Sequence, residues 1–415
     1  MKAFIISIDA MFSDQVAALQ ARPKLAPFWE HCLSATDMEA IYPALTYPCH
    51  ASIVSGNPPA IHGIFHNLDC APGNQYQDWK WYYQDIRCKT LFDYIRAAGW
   101  STASVFWPVT ANAPVDYLVP EIWSYRDDPV QIIKETGTRN VWPIVERHKA
   151  DVDFSSKYKL DRFAANCAKE IALNFDPDVM FLHLSLVDNA RHRYGIHHEK
   201  VEESFEQCCC WIEEILDQIQ TPLEDLTLVI LGDHGHLNCR GCLSVNGLFQ
   251  KQGWLPEVIP DQLSQCAVYC HAAGVSAQVY LNDRQLRQSV EAMFDRLQSQ
   301  GWLLGWNTVE QCRTWGLDGP FQYVLEAADD YYFTDAVKPQ FYTPTPNKED
   351  AGFVGKHGHC PRRGERPPFL VSSAGLENRR LYNCSILDIA PTICQLLDLP
   401  CDTMKGRSFL ERGGT

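Results

Sequence analysis

Residues 226–236 read Leu-Thr-Leu-Val-Ile-Leu-Gly-Asp-His-Gly-His, a nearly unbroken apolar run that ends in one aspartate and two histidines. A continuous apolar run of this length, rather than an alternating one, indicates a β-strand that is buried on both faces. Similar runs, the last of them shorter, lie at Phe4–Ile8, Ala103–Trp107, Val179–Leu184 and Phe369–Val371. The pattern predicts a sheet that is covered on both of its faces.

Segments with helical periodicity separate these strands. Lys89–Arg96, Asp161–Asn174 and Val201–Ile219 are each followed within a few residues by Gly or Pro, which commonly end helices. Ser385–Leu397 has a helical apolar face that would pack on the sheet. Strands that alternate with helices predict an α/β fold with a mostly parallel central sheet flanked by helices on both faces.

The segment from about Val245 to Tyr342 departs from this alternation. It reads as short mixed elements, including a strand-like Ser276–Leu281 and an amphipathic Arg284–Gln300. The proline-rich Tyr342–Asn347 is typical of a linker that returns the chain to the core. We predict a single domain over residues 1–415, with an inserted cap-like subdomain at 246–350.

Composition and charge exclude several classes of protein. The 415 residues carry 36 Lys plus Arg against 51 Asp plus Glu, a net charge of −15, which excludes a protein that coats long nucleic acid. No apolar run reaches the ~18 residues of a membrane span, and the N-terminal run meets Asp9 too soon for a secretory signal. The 17 cysteines have no framework spacing, which favours reduced thiols. We expect a cytoplasmic protein of undetermined oligomeric state.

Acids and histidines follow three of the predicted strands. Asp9 follows the first strand, Asp233 and His234 follow Leu226–Leu231, and Asp188 and His192 lie four residues apart after another strand. A single such residue is usually a helix cap or a satisfied core residue. Because the carboxyl ends of parallel strands meet at one crevice, the combination favours a metal site. Carboxylates with imidazoles suit zinc, or manganese where oxygen ligands dominate.

Thr46 is the candidate nucleophile. It lies just before Pro48, near the predicted start of a helix that includes His50–Val54. The positive end of a helix dipole and a bound divalent ion would both lower the pKa of its hydroxyl. The alternative is that Thr46 is an ordinary helix N-cap.

Taken together, these motifs resemble the type I phosphodiesterase/nucleotide pyrophosphatase branch of the alkaline phosphatase superfamily. The resemblance spans most of the chain and implies an alkaline-phosphatase-like fold. Beyond Asp9, the matching segments are Tyr42–His50, Ser55–Ile64, Val187–Gly195, Gly232–Gly235, Gly355–Gly358, Leu387–Thr392 and Met404–Ser408.

The resemblance implies a hydrolase with two zinc ions, or other divalent ions such as manganese, and a covalent phosphothreonine intermediate. Asn67 matches the residue that hydrogen-bonds a phosphoryl oxygen in the phosphodiesterase branch. The implied ligands of one metal are Asp188, His192 and His357, and those of the other are Asp9, Asp233, His234 and the Thr46 oxygen.

The chain departs from the family pattern at two positions. Arg191 stands where glycine is common before the second metal histidine, and either places a cation near the site or points to solvent. His236 stands where methionine often follows the Asp-His-Gly motif. His236 and His359 could contact substrate or be neighbouring loop residues, and His359 is the fallback if His357 is not the ligand.

The substrate is predicted to be a small phosphodiester or nucleotide pyrophosphate. Trp79, Tyr82 and Trp107 are candidates to stack on a nucleobase or aryl group, although core packing is the alternative. A phosphonoacetate-type phosphonate hydrolase of the same superfamily is the rival function. A non-catalytic metal-dependent binding protein is the alternative of another class.

Overall fold

The computed structural model describes residues 1–74, 76–122, 128–345 and 353–411. Residues 346–350, the end of the predicted insertion, lie outside these ranges. The strands are β1 (Ala3–Ile8), β2 (Cys32–Ala35), β3 (Thr102–Val105), β4 (Tyr117–Val119), β5 (Val179–Leu184), β6 (Thr227–Leu231), β7 (Leu237–Leu243), β8 (Val268–Ala273), β9 (Ser276–Leu281), β10 (Leu303–Thr308), β11 (Tyr323–Ala327), β12 (Asp330–Phe333), β13 (Tyr342–Pro344), β14 (Val354–Lys356), β15 (Phe369–Ser372) and β16 (Arg379–Leu381).

The α-helices lie between and after these strands. They are α1 (Val16–Gln20), α2 (Ala26–Glu30), α3 (Thr46–Ser55), α4 (Pro59–His62), α5 (Leu91–Ala97), α6 (Pro129–Thr136), α7 (Trp142–His148), α8 (Lys157–Phe175), α9 (Leu186–Tyr194), α10 (Glu199–Leu216), α11 (Val245–Lys251), α12 (Arg287–Ser299), α13 (Val309–Cys312) and α14 (Ile389–Leu396).

The central sheet has eight strands in the order β16-β2-β15-β6-β1-β5-β3-β4. Strand β15 is antiparallel to both of its neighbours, and the remaining pairs are parallel. This mostly parallel α/β architecture confirms the predicted fold class. The apolar runs predicted β1, β3, β5, β6 and β15, whereas the short strands β2, β4 and β16 gave no comparable signal.

Two hydrophobic cores cover the two faces of this sheet. Along β1, Phe4, Ile6 and Ile8 pack into one core, and Ala3 and Ile5 pack into the other. Residues of α8 and α10 complete the first core, and residues of α3, α5 and α14 complete the second. Burial on both faces explains why the central strands are apolar at every position.

A second sheet lies within the segment that departs from the strand and helix alternation. It is antiparallel, with the order β10-β11-β9-β8, and α12 packs on it. A third, smaller sheet pairs β7 with β12, β13 and β14 and so carries the chain towards Lys356.

Two further features bear on the sequence-based expectations. Among the described residues, no helix combines the length and apolar character that crossing a bilayer requires. All 17 cysteines lie in the described part of the chain, and each is a free thiol. The cytoplasmic location stays a prediction.

Candidate active site

The candidate site lies at the carboxyl end of the central strands β1, β5 and β6. Asp9 follows β1 directly, α9 begins two residues after β5, and Asp233 and His234 follow β6. Because β1 pairs with β5 on one side and β6 on the other, these three chain segments leave the sheet side by side. The parallel topology therefore gathers residues that are more than 170 positions apart in sequence.

One group of side chains surrounds Nε2 of His234. This atom is 3.0 Å from Thr46 Oγ1, 3.3 Å from Asp9 Oδ1 and 3.3 Å from Asp233 Oδ2. All four side chains are buried. Three anionic or hydroxyl oxygens and one imidazole nitrogen thus face a common point, which is the donor set of a divalent-metal site.

Thr46 is the first residue of α3, and Leu45 occupies the N-cap position. The Thr46 hydroxyl therefore lies at the positive end of a helix, with His234 as its partner. Proline at position 48 fits this first turn because the N–H groups there have no partner within the helix.

Buried oxygens without partners indicate that a cation fits this group. Asp9 Oδ1 and Asp233 Oδ2 are buried and have no hydrogen-bond donor among the described residues. Burial and the nearby Asp233 and Asp188 raise the pKa of Asp9 well above its usual value. Two buried carboxylates that face each other are costly unless a positive charge lies between them, so the residues fit a divalent ion.

A second group surrounds Asp188 on α9. Asp188 Oδ1 is 3.4 Å from His192 Nε2 and 3.9 Å from His357 Nε2. Nδ1 of His192 donates to the Gly355 carbonyl at 2.8 Å, and Nδ1 of His357 donates to the Ala44 carbonyl at 3.2 Å. A carbonyl that holds Nδ1 leaves Nε2 free as a metal ligand, and it fixes the direction of the ring.

His236 belongs to the same group by distance but differs in geometry. Its Nε2 lies 2.7 Å from Asp188 Oδ1. Two ligands about 2.0–2.1 Å from one tetrahedral ion lie about 3.3 Å apart, so 2.7 Å is a hydrogen-bond distance. Burial opposes ionisation of Asp188, but His192 and the hydrogen-bonded His236 hold its pKa well below its usual value. We therefore describe His236 as a donor to Asp188.

Asn67 lies in the loop after α4, next to Thr46. The Tyr47 backbone N–H donates to Asn67 Oδ1 at 3.0 Å. An amide oxygen cannot donate, so the amide nitrogen is the atom that Asn67 can offer to a bound anion, and the bond from Tyr47 fixes the orientation of the amide. Asn67 and Thr46 both line the same cavity.

Arg191 does not point to solvent, which was one of the two alternatives expected from the sequence. It is almost completely buried, and its guanidinium donates to the carbonyls of Ala10 and Ile196 and to Gln15 Oε1. Its Cζ atom lies 3.4 Å from the ring centre of Phe12. Arg191 therefore ties the loop after β1 to α9, the two segments that carry Asp9 and Asp188.

A cavity of about 470 Å³ opens over both groups. Of the five residues proposed for substrate binding, Trp79 lines this cavity, and its ring centre is 5.1 Å from that of Tyr47. Tyr82 packs against the core, Trp107 is fully buried against His50, and His236 and His359 are buried outside the cavity wall. A contact between these four residues and substrate stays a prediction.

Several polar residues of the site were missed from the sequence. Lys157 and Glu121 line the cavity. Beneath it, His183 Nε2 is 3.3 Å from Asp9 Oδ2, and His50 Nε2 is 2.9 Å from Ser7 Oγ. A histidine inside the apolar β5 run was the available signal for His183. Lys157 and Glu121 follow no predicted strand, so no sequence signal distinguished them.

The sequence comparison identifies the family. The family model described as type I phosphodiesterase / nucleotide pyrophosphatase matches residues 3–359, most of the chain. The chain belongs to this family. It is therefore an enzyme of the alkaline phosphatase superfamily, and its family is metal-dependent. No curated protein sequence matches the chain significantly.

Solved structures with a similar fold come from two enzyme groups. Murine ectonucleotide pyrophosphatase / phosphodiesterase 5 has 14% sequence identity and a TM-score of 0.67, with 98% of this chain and 97% of that chain covered. The same protein was also solved as an inactive variant in complex with AMP. Phosphonoacetate hydrolase from Sinorhizobium meliloti 1021, in complex with phosphonoacetate, has 17% identity, a TM-score of 0.67 and 94% coverage of both chains. At these identities the likeness shows the fold.

Proposed function

We propose that the chain hydrolyses a small phosphodiester or a nucleotide pyrophosphate through a covalent phosphothreonine intermediate at a site for two zinc ions. The observation that carries this proposal is the position of Thr46 Oγ1, 3.0 Å from His234 Nε2 and beside two buried carboxylate oxygens that have no hydrogen-bond donor among the described residues. The AMP complex of a structural neighbour supports a nucleotide-sized substrate. The net charge of −15 argues against long nucleic acid.

Each group of ligands would hold one ion. Asp9, Asp233, His234 and Thr46 would form one site, and Asp188, His192 and His357 would form the other. Bound divalent ions would lower the pKa of the Thr46 hydroxyl. They would also provide positive charge that stabilises the attacking and leaving oxygens.

The chain's own residues then define two steps. Thr46 Oγ1 loses its proton and attacks phosphorus, a bond forms between them, and the bond from phosphorus to the leaving oxygen breaks. The leaving group departs with one proton taken up from solvent, which balances the proton that Thr46 gives up. Asn67 donates its amide N–H to a charged phosphoryl oxygen, and the bond from the Tyr47 N–H to the Asn67 oxygen holds the amide in this orientation. Water then attacks the phosphothreonine from the side that the leaving group vacated, which restores the Thr46 hydroxyl and releases a phosphate monoester.

One observation favours the rival phosphonate hydrolase. Lys157 lines the cavity, and its electrostatic neighbours include Asp188 and Asp9. An ammonium group at this place could bind the carboxylate of a phosphonocarboxylate. The phosphonoacetate complex of another structural neighbour is consistent with such a substrate.

The test is a substrate panel with purified, zinc-loaded protein. Bis-p-nitrophenyl phosphate, p-nitrophenyl phosphate and phosphonoacetate would be compared for the wild type and Thr46→Ala. We expect a preference for the diester that Thr46→Ala abolishes. Thr308→Ala is the matched control because Thr308, the last residue of β10 and the N-cap of α13, does not line the cavity.

Three other results would contradict the proposal in different ways. Release of phosphate from phosphonoacetate with no diesterase activity would favour the rival function. Fewer than two transition-metal ions per active chain, measured by elemental analysis, would exclude the two-ion site. Inertness towards all three compounds with two bound ions would favour a non-catalytic binding protein.

A further inference from the structure

The second sheet touches the active-site loops through the hairpin of β8 and β9. Gln278 on β9 donates from Nε2 to the Phe65 carbonyl at 2.8 Å. His66 Nε2 donates to the Ala272 carbonyl on β8 at 3.1 Å. Both bonds hold the chain just before Asn67, the residue proposed to stabilise the phosphoryl oxygen.

The turn of the same hairpin also holds the loop that carries His357. The Val275 N–H donates to the His357 carbonyl at 2.9 Å, and Ser276 Oγ donates to the Gly358 carbonyl at 2.6 Å. Gly274 has φ +76°, and a Cβ atom there would lie 2.2 Å from the His357 carbonyl oxygen. The hairpin therefore fits closely against the two loops.

His66 fixes the backbone on both sides of Asn67. The Leu68 N–H donates to His66 Nδ1 at 3.0 Å, while His66 Nε2 is the donor to Ala272. These two bonds require a neutral ring with its hydrogen on Nε2. Burial lowers the pKa of His66 to about 3, which keeps the ring neutral at physiological pH.

The His66 ring is in turn held by a pair of residues from the second sheet and the chain after it. The ring of His271 stacks on His66 with centroids 3.9 Å apart. His271 Nδ1 donates to Asp335 Oδ2 at 3.1 Å, and the Ala272 N–H donates to Asp335 Oδ1 at 2.5 Å. Asp335 thus orients both the stacked ring and Ala272, the residue whose carbonyl receives the His66 bond.

Neither histidine lines the cavity over the metal ligands. Both are buried, and burial of an imidazole costs free energy unless its nitrogens form hydrogen bonds. We propose that Asp335 and His271 are positioning residues, which hold His66 so that Asn67 keeps its donor aimed at the phosphoryl oxygen. The proposal rests on the proposed function, because Asn67 is assigned its role there.

A double-mutant cycle tests this coupling with zinc-loaded protein and bis-p-nitrophenyl phosphate. Asn67→Ala removes one donor and is expected to lower kcat about 100-fold. Asp335→Ala should lower kcat about tenfold through misplacement of Asn67, with KM and bound metal unchanged. In the Asn67→Ala background, Asp335→Ala should have no further effect on kcat.

Two further variants separate positioning from general destabilisation. His271→Phe keeps a stacked ring but loses the bond to Asp335, so it should show part of the loss of kcat expected for Asp335→Ala. It takes the place of Asp335→Ala in the cycle if Asp335→Ala folds poorly. Asp295→Ala is the matched control, since Asp295 accepts from Trp306 Nε1 in the same subdomain, away from Asn67. It should leave kcat unchanged.

A readout independent of activity is hydrogen exchange. Asp335→Ala should speed exchange of the Leu68 and Tyr47 amides, whose acceptors are His66 and Asn67. Unchanged exchange at both amides, or a tenfold loss of kcat that persists in the Asn67→Ala background, would overturn the inference. If the wild type has no diesterase activity but Asp335→Ala still speeds exchange at both amides, the proposed function is contradicted and the positioning by Asp335 is supported.

Discussion

The two groups of metal ligands differ in charge and in exposure. The Thr46 group contains two carboxylates, and the side chains of Asp9, Asp233 and His234 are at most 4% exposed. The Asp188 group contains one carboxylate with three histidines around it, and the side chains of Asp188 and His192 are 14% and 26% exposed.

This difference predicts different behaviour without metal. In the Thr46 group, two carboxylate oxygens have no hydrogen-bond donor among the described residues, and burial raises the pKa of Asp9. In the Asp188 group, His236 donates to the single carboxylate. The first group therefore needs a cation for stability, whereas the second satisfies its charge with neighbouring imidazoles.

The largest expected effect distinguishes the two groups by activity. Asp9→Ala should lower kcat at least about 1000-fold, because it removes a ligand beside the nucleophile. His192→Ala should lower kcat less, about 100-fold, since all ligands of the metal site beside Thr46 are retained. Diesterase assays with elemental analysis of each variant measure this. Equal losses of kcat and of metal in both variants would contradict the division into two groups.

The next effect concerns His236. His236→Met should weaken the metal site at Asp188 about 10–100-fold while leaving kcat at saturating zinc within a few-fold. The reason is that Asp188 loses a hydrogen bond but keeps its ligand atoms. Competition with a chelator measures the affinity. His359→Met is the control, and an unchanged affinity for His236→Met would show that the hydrogen bond has no such role.

Removal of metal should reveal the contribution of Asp9 to the pH dependence of stability. The pKa of Asp9 is raised in the folded chain, so without metal its contribution is present below the unfolded pKa of about 3.9 and is lost as pH rises through the folded value. Between pH 5 and pH 8 the chelated wild type should therefore lose stability relative to chelated Asp9→Asn, and zinc should stabilise the wild type more at pH 8. Thermal unfolding in both states measures this.

Asp9→Asn sharpens that experiment. It should stabilise the chelated protein at pH 8 by about 1–3 kcal/mol, because it removes the charge of a buried carboxylate whose Oδ1 atom has no hydrogen-bond donor among the described residues. Asp161→Asn is the matched control: Asp161 is equally buried but accepts from Ser185 and Leu186. That variant should destabilise the protein with or without zinc. If Asp9→Asn destabilises the chelated protein, the ionised Asp9 carboxylate does not have the unfavourable free energy that we assign to it.

The smallest effect concerns Trp79, which contacts Tyr47 on the Thr46 side of the cavity. Trp79→Leu should raise KM about fivefold for an aryl diester, because a stacking surface is lost, and leave KM for a methyl diester unchanged. Trp315→Leu, exposed and outside this cavity, is the control. Equal KM changes for both diesters would exclude stacking by Trp79.

The sequence predicted the centre of the fold well and its edges poorly. Val179–Leu184 is a strand with the bounds expected from its apolar run. The three-residue strands β4 and β16 were not predicted, because strands this short carry too few residues to show a pattern. Asp9, Asp188 and Asp233 were predicted because acids directly after buried strands stand out from their surroundings.

Other parts of the site depend on contacts between distant segments. The hydrogen bond from His236 to Asp188 joins residues 48 positions apart, and the bond from His66 to Ala272 joins residues 206 apart. Local pattern cannot reveal such pairs, because the partner is set by how elements pack. Arg191 was ambiguous for the same reason: its carbonyl acceptors come from loops that meet in space.

The sequence by itself determined the α/β class, the family motifs and the residue types that meet at the strand ends. Apolar runs and motif spacing are local, so they can be read along the chain. The tertiary structure decided which oxygens are left without partners, that Tyr47 occupies the oxygen of Asn67, and that the second sheet contacts the loops of Asn67 and His357. These depend on distances of about 3 Å between segments far apart in sequence, and such distances exist only once the chain is packed.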